Sequence, residues 1–168
     1  MTASMHAMSA PIFVRMLGNL SAILDKAAAH AQAKKIDPSV LLNARLFPDM
    51  FAFTRQIQLA SDFAKGAVAR LAGLEPPKYE DTETTIDQLK ARIARTIEFV
   101  QGIKPGQLEG AESREISLKV RDTVQKHSGM VYLTLIALPN FYFHATTAYD
   151  ILRHNGVELG KRDFVGAS

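Results

Sequence analysis

Apolar residues recur at three- and four-residue steps in four long stretches of the chain, the pattern of helices with one buried face. The first stripe is Met5, Met8, Ile12, Met16, Leu20, Ile23, Leu24, Ala27 and Ala31. It predicts a helix over residues 4–33, with Pro11 either kinking it or marking its true start. Asp37-Pro38 then reads as a cap followed by a favoured first helical residue, opening a short piece over 38–44. The second stripe is Phe53, Ile57, Ala60, Ala64, Val68 and Leu71, in a helix opened by Pro48 and ended by Gly73. Asp49 and Gln56 fall on the striped side, whereas Arg55, Gln58, Asp62 and Lys65 fall outside it. Residues 74–85 form an acidic linker containing Pro76-Pro77. The third stripe, Ile86, Leu89, Ile93, Ile97 and Val100, predicts a helix over 85–101, with Lys90, Arg92 and Arg95 facing water.

The pattern then changes. Ile116, Leu118 and Val120 alternate with Ser117 and Lys119, which predicts a short strand that pairs with residues around Val124 in a hairpin over about 115–126. His127 falls in this polar region and reads as a solvated loop residue. A helical pattern resumes near Met130 and runs, straight or kinked, into a last helix between a start signal, Pro139, and a stop signal, Gly156 after Asn155. On that helix Asn140, His144, Thr147 and Ile151 share a narrow inward arc beside Phe141, Ala145 and Leu152, while Tyr142, Tyr149 and Arg153 point away. His154 stands in the last turn, where an imidazole meets free carbonyls. Residues 157–168 have no period, and Leu159 and Phe164 are their anchors. The expected fold is all-α: one domain over 1–168, a four-helix bundle with a small β-hairpin before the last helix. The long connection between the third and fourth helices admits a crossover.

Composition narrows the class. The chain has 168 residues, a formal charge of +3 with scattered lysines and arginines, and no cysteine. A nucleic-acid footprint is not expected, nor are disulfides, thiol nucleophiles or thiolate zinc sites. The N-terminal residues do not pattern as a secretory signal, and the most apolar run, 130–143, is too short to span a bilayer. The expectation is a cytoplasmic protein.

Strong catalytic motifs are absent: no HExxH, GxGxxG, phosphate-binding loop, GxSxG or Glu-x-x-His of di-iron bundles. The candidate site is instead Asp49, Asn140 and His144, inward-facing polar residues near helix ends. His144 is the candidate general base or metal ligand, and Asp49 its carboxylate partner or a second ligand. Asn140, Gln56 and Thr147 are the candidate ligand-binding residues. A competing expectation is a non-catalytic module that pairs through Tyr142, Tyr149 and Arg153, since aromatic and arginine side chains are common interface anchors.

Two long phrases, LLNARLFPDMFAFTRQIQ over 41–58 and LPNFYFHATTAYDILRHNGVELGKRDF over 138–164, resemble an uncharacterised bacterial family grouped with the DinB/YfiT-like superfamily. The likeness extends to NLSAILDKAAAHA and DTETTIDQL, so it covers nearly the whole chain. It implies up-down-down-up connectivity and a homodimer. It also implies a divalent metal held by three histidines, one early in the second long helix and two, four apart, in the fourth. His144 matches the second of that pair, Asn140 stands in place of the first, and the second-helix position falls near Asp49. One imidazole, one amide and one carboxylate suit zinc poorly; such a set takes a harder ion or stays empty. If the two helices run parallel, Asp49, Asn140 and His144 share one level, and both helix N-termini favour an anionic group there. No cofactor follows with certainty, and a small-molecule ligand is the expected partner.

Overall fold

The computed structural model describes residues 4–166; the last two tail residues lie outside them. The first helix, α1 (Ala10–Lys34), starts beside Pro11, so this proline marks a helix start and no kink. Met16, Leu20, Ile23, Leu24, Ala27 and Ala31 are buried as predicted; Phe13 and Leu17, also fully buried, widen the stripe, and Ile12 lies at its edge, only partly buried. α1 ends on Lys35 in the left-handed region, φ 55°. Then α2 (Pro38–Leu42) follows, capped by the Asp37 carboxylate, which accepts from the Ser39 N–H at 2.9 Å.

The next long helix, α3 (Phe53–Leu71), starts five residues after Pro48. Pro48 and Asp49 form a turn closed by the Met50 N–H on the Phe47 carbonyl at 3.0 Å. The Phe53 N–H reaches back to the Ala44 carbonyl at 2.9 Å, and Arg45 Nη1 donates to the Met50 carbonyl at 2.6 Å. These bonds stitch 44–53 into a loop, and the fixed φ of proline serves a turn as well as a helix start. Asp49 is therefore exposed in a turn and does not stand in a helical first turn.

The third long helix is α4 (Ile86–Gly102), capped by a box: Gln88 N–H donates to Thr85 Oγ1 at 3.2 Å, and Gln88 Oε1 accepts from the Thr85 N–H at 3.1 Å. Leu89, Ile93 and Val100 are fully buried. Arg92, expected in water, is 4% exposed. It lies three residues from Leu89, on the flank of the stripe, and the linker covers that flank. Its Nη1 bonds Glu83 Oε1 at 3.0 Å and the Glu80 carbonyl at 3.2 Å, and its Nη2 lies 2.8 Å from Asp62 and 3.0 Å from Asp81. Lys65 pairs with Asp62 at 2.9 Å, Gln58 Nε2 donates to Glu83 at 2.8 Å, and Arg55 pairs with Asp81. Tyr79 lies beneath the cations of Lys65, Arg92 and Arg95 at 4.7, 5.2 and 4.1 Å. The linker leaves the end of α3 and, by Asp81 and Glu83, is back beside its first turns.

Strands β1 (Glu115–Val120) and β2 (Thr123–Ser128) form an antiparallel hairpin with Val120 opposite Thr123. Its turn holds Arg121 at φ 54°. His127 lies on β2 opposite Ile116, and its Nε2 is enclosed without a partner, so it is not a solvated loop residue. From Gly129 the backbone is helical without interruption: α5 (Gly129–Val131), a π-helical turn over Tyr132–Ala137, then α6 (Leu138–His154). The wide turn abuts Pro139, whose ring cannot accept the regular four-residue ladder behind it. The last helix thus continues an earlier one through Pro139. The tail packs back as expected. Val157 and Leu159 are buried, and the short α7 (Lys161–Val165) carries Phe164 to 5.7 Å from the Tyr149 ring. Asn19 Nδ2 holds the Phe164 carbonyl at 2.8 Å, and Arg153 holds the Leu159 carbonyl.

The molecule is mostly helical, with this two-stranded hairpin. α3 packs on α6 and α4, and α1 packs mainly on α4. Phe13 meets the Phe141 ring edge-on at 4.9 Å in the shared core. No described helix is long and apolar enough to cross a membrane.

Candidate functional site

The side chain that meets His144 from α3 is Gln56. His144 Nδ1 lies 2.8 Å from Gln56 Oε1, and Gln56 Nε2 donates to the Phe51 carbonyl at 3.0 Å. The carbonyl can only accept, so it fixes which end of the amide is nitrogen. The amide oxygen facing the ring can also only accept, so Nδ1 carries the proton. A neutral ring then keeps its lone pair on Nε2. That nitrogen has no hydrogen bond among the described residues and is not one of the enclosed, unpaired atoms.

Packing holds the ring as well. His144 is 8% exposed, stacked on Phe63 at 5.6 Å and met edge-on by Phe143 at 5.3 Å. Burial, and after it the Arg55 charge, keep its pKa below the ordinary imidazole value. The ring is therefore neutral at pH 7.

The other expected residues divide. Asn140 is half-buried one turn before His144, and its Nδ2 donates to the Ile136 carbonyl at 2.7 Å. Thr147 Oγ1 donates to the Phe143 carbonyl at 2.7 Å, so its hydroxyl proton serves its own helix. Asp49 makes no hydrogen bond or ion pair with any described residue of this group. Nor do α3 and α6 run parallel. Gln56 meets His144, while Arg70 Nη1 meets Tyr132 Oη at 3.1 Å, so rising numbers on α3 meet falling numbers on the other helix. Gln56 in the first turn of α3 thus faces the middle of a helical run that begins at Gly129. The two helix N-termini do not converge.

The donor set does not fit the metal that the resemblance implies. The donors on offer are one imidazole, His144, and the amides of Asn140 and Gln56; Asn140 is bonded back to its own helix and the Gln56 oxygen is already taken by Nδ1–H. Among the described residues no group of three histidine, aspartate or glutamate side chains is placed to hold an ion. A cleft of about 530 Å³ lies elsewhere, beside Tyr79, Arg92 and Arg95. The Phe63 and Phe143 rings packed on His144 carried no spacing that could have marked them in the sequence. Gln56 did carry a signal, its place on the buried stripe.

This mostly helical architecture with one hairpin is shared by a DinB family member. A crystal structure of a DinB family member protein from Shewanella denitrificans at 1.83 Å resolution is 44% identical in sequence, with a TM-score of 0.92 over 97% of this chain and 92% of that one. Residues 5–165 match the model of a domain of unknown function, DUF1993. The chain belongs to that family. A search of curated proteins finds no match.

Proposed function

We propose that this protein binds a small molecule at His144 without a metal, and that the neutral ring offers Nε2 to the ligand as a hydrogen-bond acceptor or general base. The observation that carries this is the Phe51–Gln56–His144 chain, which fixes tautomer and ring orientation together. Gln56 stands beside His144 in the place expected of Asp49 as a carboxylate partner. The reading includes a single cytoplasmic domain with up-down-down-up connectivity, supported by the α3–α6 contacts and by the return of the linker to the first turns of α3.

The test is nitrogen-resolved NMR of His144. The Nδ1–H tautomer should dominate at pH 7.5, and the ring should titrate below the ordinary value of 6.5. Stability follows from the same sign. On acidification the unfolded chain takes up this proton first. Stability is complete above 6.5 and falls as pH drops from there through the folded pKa, by at most ~1.4 kcal/mol per pH unit. His144→Gln should remove that part of the slope. A ring that titrates at or above 6.5 would overturn the reading, as would stoichiometric zinc that survives dialysis and disappears in His144→Ala.

A second reading, pairing of two copies, is favoured by a different observation. Val131, Leu135 and Phe143 are exposed on the run that ends in α6, Leu135 by 70%, and Phe47 and Phe51 are exposed on the 44–53 loop. Tyr149 and Arg153, expected on such a surface, are engaged by the tail. Light scattering at high micromolar concentration should give a dimer mass that Leu135→Glu halves; a wild-type monomer would exclude this reading.

A further inference from the structure

We propose that the ligand of the His144 site is a small organic anion, its acid group paired with Arg55 and its apolar body lying against Phe51 and Phe143. This rests on the reading above and adds the chemical class.

Arg55 precedes Gln56 on α3, and its guanidinium lies 6.0 Å from the Phe51 ring centroid. The same Phe51 carries the carbonyl that orients Gln56, and Phe143 meets the His144 ring edge-on. Arg55, Phe51, Gln56, His144 and Phe143 are thus one continuous set of contacts. Within it Arg55 is only partly committed. Nη1 serves Asp81 and, at 3.2 Å, Gln58 Oε1, while Nε and Nη2 have no partner among the described residues. The side chain is 36% exposed. Asp81 is shared with Arg92, so it does not neutralise Arg55 alone.

The start of α3 adds to this. Its cap residue, Ala52, offers no side-chain acceptor, and the N–H groups of Thr54 and Arg55 have no backbone acceptor. A helix start of this kind favours negative charge. The second, independent feature is His144, buried and bonded through Nδ1 to Gln56 in this same turn, with no partner on Nε2 among the described residues. Phe51 and Phe143, 55% and 57% exposed, supply apolar surface for the rest of the ligand. A carboxylate can accept two parallel bonds from the free edge of a guanidinium, which an amide cannot match.

The experiment uses the full chain and two probes of one size, benzoate and benzamide, titrated while the His144 ring resonances are followed. Benzoate should move them saturably, and benzamide should bind about tenfold more weakly, ~1.4 kcal/mol. Arg55→Gln should lose the preference for benzoate. Asp81→Asn, which releases Arg55 from its carboxylate, should tighten benzoate binding and decides the matter if Arg55→Gln melts early. Equal shifts with both probes would leave the His144 site standing and overturn the anion class. So would benzoate binding that is unchanged in Arg55→Gln, or weakened or unchanged in Asp81→Asn. If neither probe moves the ring while its Nδ1–H tautomer is intact, the anion class is again overturned.

Discussion

Arg92→Met is expected to destabilise the protein by about 3 kcal/mol and to lower its melting temperature by roughly 6–12 °C. The arginine is 4% exposed and is the common partner of Asp62, Asp81 and Glu83. Methionine fills much the same volume but leaves three carboxylates around an uncharged centre. Their side chains are 12–37% exposed, so they recover some hydration, and the lower end of the range for a broken buried pair applies. Arg92→Lys should fall between, since an ammonium keeps the charge and loses the planar fork. Arg95→Met is the control. Arg95 stacks on the same Tyr79 ring but is exposed, and its loss should cost under about 1 kcal/mol. Thermal unfolding of the three variants checks the order, and an Arg92→Met cost no larger than that of Arg95→Met would refute it.

Gly129→Ala is expected to be of similar size for a different reason. A Cβ built there would stand 1.9 Å from the Ala111 carbonyl oxygen and 3.0 Å from Leu71 Cδ2. The nearer group is backbone, in a segment tied down by the Met130 N–H on the Glu112 carbonyl at 3.0 Å. Relief therefore needs a main-chain shift at the start of α5, at a cost of about 3 kcal/mol. Gly18→Ala, where a Cβ meets nothing within 4 Å, should stabilise α1 slightly. Denaturant midpoints of the pair measure both effects, and a neutral Gly129→Ala would show that the 109–114 turn yields easily.

Sequence showed the helices well where one face is buried and one is wet. The stripes of α4 and α6, the Asp37 cap and the hairpin alternation all have local causes. The errors arose where a distant segment decided the outcome. Pro48 has the chemistry of a helix start, but bonds from Ala44 and Arg45 make it a turn, and that displaced Asp49 from the site. Arg92 looked wet because the 74–85 segment that covers it carries no periodic pattern. Of the candidate site, His144 lay on the inward arc and Gln56 on the buried stripe, but their meeting across 88 positions is set by the antiparallel run of the two helices. An assumed parallel run pointed instead to Asp49.

The 74–85 segment also has little slack. It must return along most of α3, whose 19 residues measure ~28 Å at the helical rise. Twelve residues drawn out fully reach ~40 Å. Removing four would bring that reach down to about the distance to be covered, with the chain stretched straight and Tyr79, Asp81 and Glu83 out of register with the cations they meet. Surface connections usually accept changes of length in both directions. Here the tolerance is one-sided: relatives can carry longer versions that bulge into solvent, whereas shorter ones would require a shorter α3.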